Sequence, residues 1–188
     1  MRLYHITCLH HWGKISQDMY LEVTESNIGA PFILDTSPLQ NADLVEDQVT
    51  DPMAPYGEHV GPDVVHLTRD LTPNQHWAMH NDLWPNLPEK YQKNRILVVV
   101  DVPDQDVHKW SEWAVEQGIG QDWYACLAQG LPDHENWYVV TRRIPSEEWV
   151  GVFDLSTQEA LWLSDGASDS FPEPWLPIPL AREGGKQD

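Results

Sequence analysis

Two short segments place an imidazole and a hydroxyl two residues apart: His5-Ile6-Thr7 and His66-Leu67-Thr68. Each is set in an apolar or β-branched run, Leu3-Tyr4-His5-Ile6-Thr7 and Val64-Val65-His66-Leu67-Thr68. In a strand, alternate side chains share a face. His5 and Thr7 therefore point one way and Tyr4 and Ile6 the other; His66 and Thr68 likewise oppose Val65 and Leu67. Two such strands side by side would line a polar cleft, a binding or catalytic site built on a sheet.

The remaining chemistry-bearing residues are less specific. His76 and His80 stand at i, i+4, and His10 and His11 are of the right type for zinc, but no His-Glu-x-x-His or Cys-x-x-Cys spacing accompanies them. No metal is expected. The sequence holds no P-loop, no Gly-x-Gly-x-x-Gly and no Gly-x-Ser-x-Gly. Cys8 and Cys126 lie far apart and make neither a disulfide framework nor a zinc site, so both are expected as reduced core residues.

The elements that would position the two motifs can be read from apolar spacing. Strands are expected at about 2–8, 64–68, 95–102, 137–141 and 149–155, with an edge strand near 161–163. Arg95 to Val102 is apolar on both faces and so belongs at the centre of a sheet, ending at Pro103. Trp12, Ile15 and Met19 form a helical stripe within 10–20, and Val107, Trp110, Trp113 and Ala114 another within 106–117. A further short helix is expected at 122–129, and a partly helical, Trp-rich stretch at 73–91. Thr24-Glu25-Ser26-Asn27 reads as a polar turn that either closes the chain locally or reaches a ligand through Thr24, Ser26 and Asn27. Residues 29–63 are a long Pro-, Asp- and Gly-rich loop, and 166–188 a Pro/Gly-rich tail with the composition of disorder. The sum is one α+β domain over residues 1–165, a mostly antiparallel sheet with helices inserted between strands.

At 188 residues the chain is long enough to bury a core. No apolar run approaches the ~20 residues of a membrane span, and the chain enters its first expected strand too early for a signal peptide. A cytoplasmic protein without membrane contact is expected. Thirty acidic against 11 basic residues give a formal charge of −19. Such a surface opposes non-specific binding to nucleic acid, which relies on Lys and Arg.

Read in order, four segments resemble the ADP-ribosyltransferase fold, and within it the RNA 2′-phosphotransferase branch. Leu3 to Thr7 is similar to that branch's Leu-Tyr-His-Gly-Thr strand, with Ile6 in place of Gly. Val64 to Thr68 is similar to its His-Val-His-Leu-Ser strand. Val98 to Asp101 matches an apolar strand ending in Val-Asp, and Asn136 to Thr141 followed by Ile144-Pro145 resembles its Asn-Gly-Val-Trp-Leu-Thr strand followed by Val-Pro.

The resemblance implies a split sheet and NAD, as substrate, bound across its central strands. By it, His5 contacts a ribose hydroxyl, Thr7 supports it, and His66 lines the nicotinamide pocket. Tyr4, Trp137 and Tyr138, close to these motifs in sequence, could bracket the nicotinamide, and Thr68 and Asn27 are further candidate cofactor contacts. Many members carry a glutamate where this chain has Tyr138, which fits the His-His-hydrophobic type. A carboxylate to activate the acceptor would come from Glu135, Glu147 or Glu148, with Glu135 the first candidate. The phosphotransferases hold RNA phosphate with arginines where this chain has Pro62 and Asp133, which argues against an RNA 2′-phosphate acceptor. The expected function is transfer of ADP-ribose to a macromolecule, protein rather than nucleic acid, or to water. The alternative from another class is a non-enzymatic acidic interaction protein, a nucleic-acid mimic or an inhibitor of a basic partner, whose binding would collapse with salt.

Overall fold

The computed structural model describes residues 1–25, 62–69, 71, 90, 95–119 and 134–172. The expected helix at 122–129, the Trp-rich stretch at 73–91 apart from Lys90, and nearly all of the 29–63 loop lie outside them. So do Asn27, His76, His80, Cys126 and Asp133.

Ten strands and two helices are described: β1 (Arg2–Thr7), α1 (Leu9–Asp18), β2 (Tyr20–Leu21), β3 (Thr24–Glu25), β4 (Asp63–Thr68), β5 (Ile96–Asp101), β6 (His108–Lys109), α2 (Trp110–Glu116), β7 (Trp137–Val140), β8 (Ile144–Pro145), β9 (Trp149–Asp154) and β10 (Ala160–Leu163). The main sheet runs β10-β9-β5-β1-β4-β7-β6, with β3 added on β4, and β2 pairs with β8 separately. Every pairing between described strands is antiparallel. The protein is thus α+β with an antiparallel sheet, as the apolar spacing predicts.

The β-branched run Ile96–Val100 is buried throughout because β5 lies between β1 and β9 and is covered on both faces. Burying each such side chain is worth about 1.5–3 kcal/mol. One face carries Leu3, Val65, Leu67, Ile96, Val98, Val100, Val140 and Val152, and Leu9, Trp12 and Ile15 of α1 pack against it. The other face holds two separate clusters. Val64 and Val139 meet Trp110, Trp113 and Ala114 of α2. Leu97, Val99 and Phe153 meet Leu71 and Leu155, with Phe171 packed alongside.

Helix α1 starts at Cys8, whose Sγ accepts a hydrogen bond from the His11 amide at 3.4 Å. It ends at Met19, whose left-handed φ of 58° closes the last turn through an amide bond to the Ile15 carbonyl. Met19 is therefore the exposed cap rather than a third member of the buried stripe.

Two local expectations change. The helix expected over 106–117 is confined to Trp110–Glu116. Asp104–Asp106 forms a 3-10 turn, and His108 and Lys109 pair with Val139 and Tyr138 of β7. The open edge of β7 offers this backbone ladder partners, which outweighs its helical pattern. Likewise Thr24 and Glu25 pair with Val64 and Asp63 rather than turning freely. Within the tail expected beyond residue 165, the Phe171 ring meets Phe153 edge-on at 5.4 Å.

Candidate functional site at the seam between two strands

The two His-x-Thr strands are neighbours. Their contact is sparse: β1 shares six aligned residue pairs with β5 but one with β4, Tyr4 opposite Thr68. The imidazole of His5 spans this seam, its Nδ1 3.0 Å from the carbonyl oxygen of His66. A carbonyl only accepts, so Nδ1 carries the hydrogen, and in the neutral ring Nε2 is the acceptor.

The register then sorts the predicted residues by face. Residues directly opposite in an antiparallel pair share a face. Tyr4, Thr68 and Trp137 form one cross-strand row, and His66 stands next to it in line with Val139 and His108. His5, Thr7, Leu67 and Tyr138 belong to the opposite face, the one α1 covers. The seam is shared, but the two imidazoles leave it on opposite sides. No residue spacing within either strand carries that information, because it depends on the pairing between them.

His66 is exposed while Thr68 beside it is 1% exposed. Thr7 is 4% exposed, its hydroxyl 3.5 Å from Nδ1 of His11 at the start of α1. Trp137 packs edge-on against Trp110 of α2 at 5.4 Å, and Tyr138 lies half-buried against the main core. Tyr4 is half-buried; burial pushes its phenol up, Arg2 opposes that and Asp101 adds to it, so the hydroxyl is a neutral donor.

Glu135 is placed elsewhere. It lies in the 3-10 turn His134–Asn136 that leads into β7, and Lys109 of the outer strand β6 binds it. That ammonium, then its wider field, holds the exposed carboxyl below the usual range. Three inter-strand spacings separate β6 from β1, about 14 Å. Glu148 is likewise engaged, by Arg142 at 2.9 Å. Among the described residues no group of three His, Cys, Asp or Glu is placed to hold a metal ion, and no helix is long and apolar enough to cross a membrane.

At the end of the seam where β1 begins and β4 ends, Met1, Arg2, Tyr4, Arg69 and Asp104 line an open cavity of about 490 Å³. Arg2 is paired with Asp101 at 2.6 Å, a hydrogen bond that raises its already high pKa. The amide of Arg69 donates to the Asn136 carbonyl at 2.9 Å. These cations flank the motifs in sequence, Arg2 directly before Leu3-Tyr4-His5 and Arg69 directly after Thr68. Their adjacency to the motifs was the available signal, and attention to the His-x-Thr pairs alone passes over it.

No protein-family model, no curated protein and no solved structure matches the chain.

Proposed function

We propose that this protein binds NAD across the seam between β1 and β4 and cleaves its nicotinamide–ribose bond, passing ADP-ribose to a macromolecule or to water. The observation that carries the reading is the seam itself. The two strands whose sequences resemble the ADP-ribosyltransferase motifs are neighbours, and a side chain of one motif bonds the backbone of the other across a thinly paired join. The antiparallel sheet, with separate clusters on either side of the seam on one face, supports the same reading.

Bond cleavage of this kind passes through an oxocarbenium-like state. A site assists by holding the ribose, by hydrogen bonds that strengthen as charge develops, and by excluding competing geometries. On this reading His5, held in one tautomer by the His66 carbonyl, reaches a ribose hydroxyl through the seam from the α1 side, opposite the face that carries His66. Tyr4, Thr68 and His66 share the face on which the nicotinamide would lie, and the neutral phenol of Tyr4 serves as wall and donor. Trp137 supports that face through α2 rather than touching the ligand. Glu135, bound by Lys109 at the outer edge, takes no part in the chemistry. A cytoplasmic setting accords with a substrate of that compartment.

The test is release of nicotinamide from NAD by the purified protein, beside His5→Ala. Release by the wild type that falls at least a hundredfold in a folded His5→Ala protein supports the proposal; equal release by both, or none by either, overturns it. The net charge of −19 favours a second reading, an acidic protein that engages a basic partner. Partner binding that vanishes between low and high salt, without any NAD turnover, would decide for it.

A further inference from the structure

Five arginines lie among the described residues, and four hold carboxylates. Arg2 pairs with Asp101 at 2.6 Å, Arg95 with Asp154 at 3.5 Å and Arg143 with Glu22 at 2.8 Å. Arg142 pairs with Asp106 at 2.6 Å and with Glu148 at 2.9 Å. Arg69 pairs with none of the described carboxylates. In a chain with 30 acidic residues to 11 basic ones, a guanidinium without a described acidic partner is conspicuous.

Arg69 lines the cavity at the end of the seam, together with Arg2. Among the described residues the carboxylate in that lining is Asp104, which pairs with the Met1 amine at 2.9 Å. The surroundings otherwise repel anions, so a negatively charged ligand is drawn only to a place where cations outnumber acids locally. Planar guanidinium groups grip phosphate oxygens through paired N–H donors. The cavity's size suits a nucleotide-sized ligand, and the half-buried ring of Tyr4 gives it an apolar wall.

Position adds a second constraint. Arg69 follows Thr68, which faces Tyr4, and His66 stands two residues earlier on the same face. From His66 to Arg69 is three steps of extended chain, about 10 Å. Arg69 stands just past the end of β4, so it meets a ligand at the end of the seam rather than on the face that carries His66.

We propose that this cavity is a phosphate-binding site that takes the diphosphate of a nucleotide, with Arg69 as its principal charge and Arg2 as the second. In naming a nucleotide the proposal rests on the NAD reading; the binding of diphosphate at Arg69 does not. The site also answers how so acidic a protein would receive a substrate with a doubly charged diphosphate.

The experiment is calorimetric titration of wild type, Arg69→Ala and Arg143→Ala with inorganic pyrophosphate and with ADP-ribose. Arg69 is exposed, and its fixed backbone bond survives the substitution, so the variant is expected to fold. Arg143, exposed and bound to Glu22 elsewhere, controls for the loss of one positive charge. The wild type should bind both probes. Arg69→Ala should weaken both at least tenfold, about 1.4 kcal/mol, while Arg143→Ala leaves them unchanged. Absence of pyrophosphate binding in the wild type, or equal affinity in Arg69→Ala, overturns the site. Pyrophosphate bound through Arg69 without nicotinamide release from NAD keeps the site and removes the NAD reading. ADP-ribose binding that is indifferent to Arg69 does the reverse.

Discussion

Replacing His5 by alanine separates the structural from the functional part of this residue, and the structure fixes the size of the structural part. The hydrogen bond from Nδ1 to the His66 carbonyl, at 3.0 Å, is lost from a half-buried side chain. A neutral hydrogen bond of this kind contributes about 0.5–1.5 kcal/mol net. The flanking strands keep their own support, since β1 retains its six-pair register with β5 and β4 its pairing with β7. The expected destabilisation is therefore about 1 kcal/mol. For a chain of this size that lowers the melting temperature by roughly 2–4 °C. Urea unfolding followed by tryptophan fluorescence measures it, with an unchanged m value showing that the same surface is exposed. A loss above about 4 kcal/mol, or a collapsed transition, would refute the reasoning: His5 would then be a pillar of the core, and its effect on turnover would say nothing about chemistry.

Three further outcomes follow from packing and charge. Trp110, 2% exposed at the centre of the α2 cluster, should cost about 3–5 kcal/mol as Trp110→Ala, whereas Val115→Asp on the exposed side of the same helix should stay within about 0.5 kcal/mol; both are read from urea midpoints. Gly151→Ala would bring a methyl group 3.0 Å from Phe153 and 3.1 Å from Leu163, so a loss of about 1–3 kcal/mol is expected, measured by thermal unfolding. Burial pushes the Asp154 carboxyl up, but Ser156, the field of Arg95 and the Thr157 amide more than offset it and leave it below the usual aspartate range. The folded protein thus binds that proton more weakly than the unfolded chain. The contribution is complete above the unfolded value, near pH 4, and is lost as pH falls through the lower folded one. Asp154→Asn should therefore lose stability at pH 6 and much less at pH 2.5, and equal losses at both would contradict it.

Much of the fold could be read from the apolar pattern. Ile96–Val100 announces a central strand because a run apolar on both faces has to be covered on both. Trp110, Trp113 and Ala114 announce a buried helical stripe. What was not legible depends on partners distant in sequence. His108-Lys109 became a strand because β7 presented an edge, and the polar Thr24-Glu25 pair was recruited by β4. The candidate site divides in the same way. Sequence placed His5 and His66 on strands; only the alignment of Tyr4 with Thr68 sends them to opposite faces and leaves a side chain bridging the seam. Arg69 had no motif around it. It differs from the other described arginines only in that each of those has found a carboxylate.

The seam as an NAD site is tested most directly by following the backbone amide shifts of the labelled protein as NAD is added. Shifts that saturate and centre on Tyr4–Ile6 and His66–Arg69 are the predicted result. A spectrum unmoved at millimolar NAD, or shifts confined to the outer β6–β7 edge around Lys109 and Glu135, would contradict it.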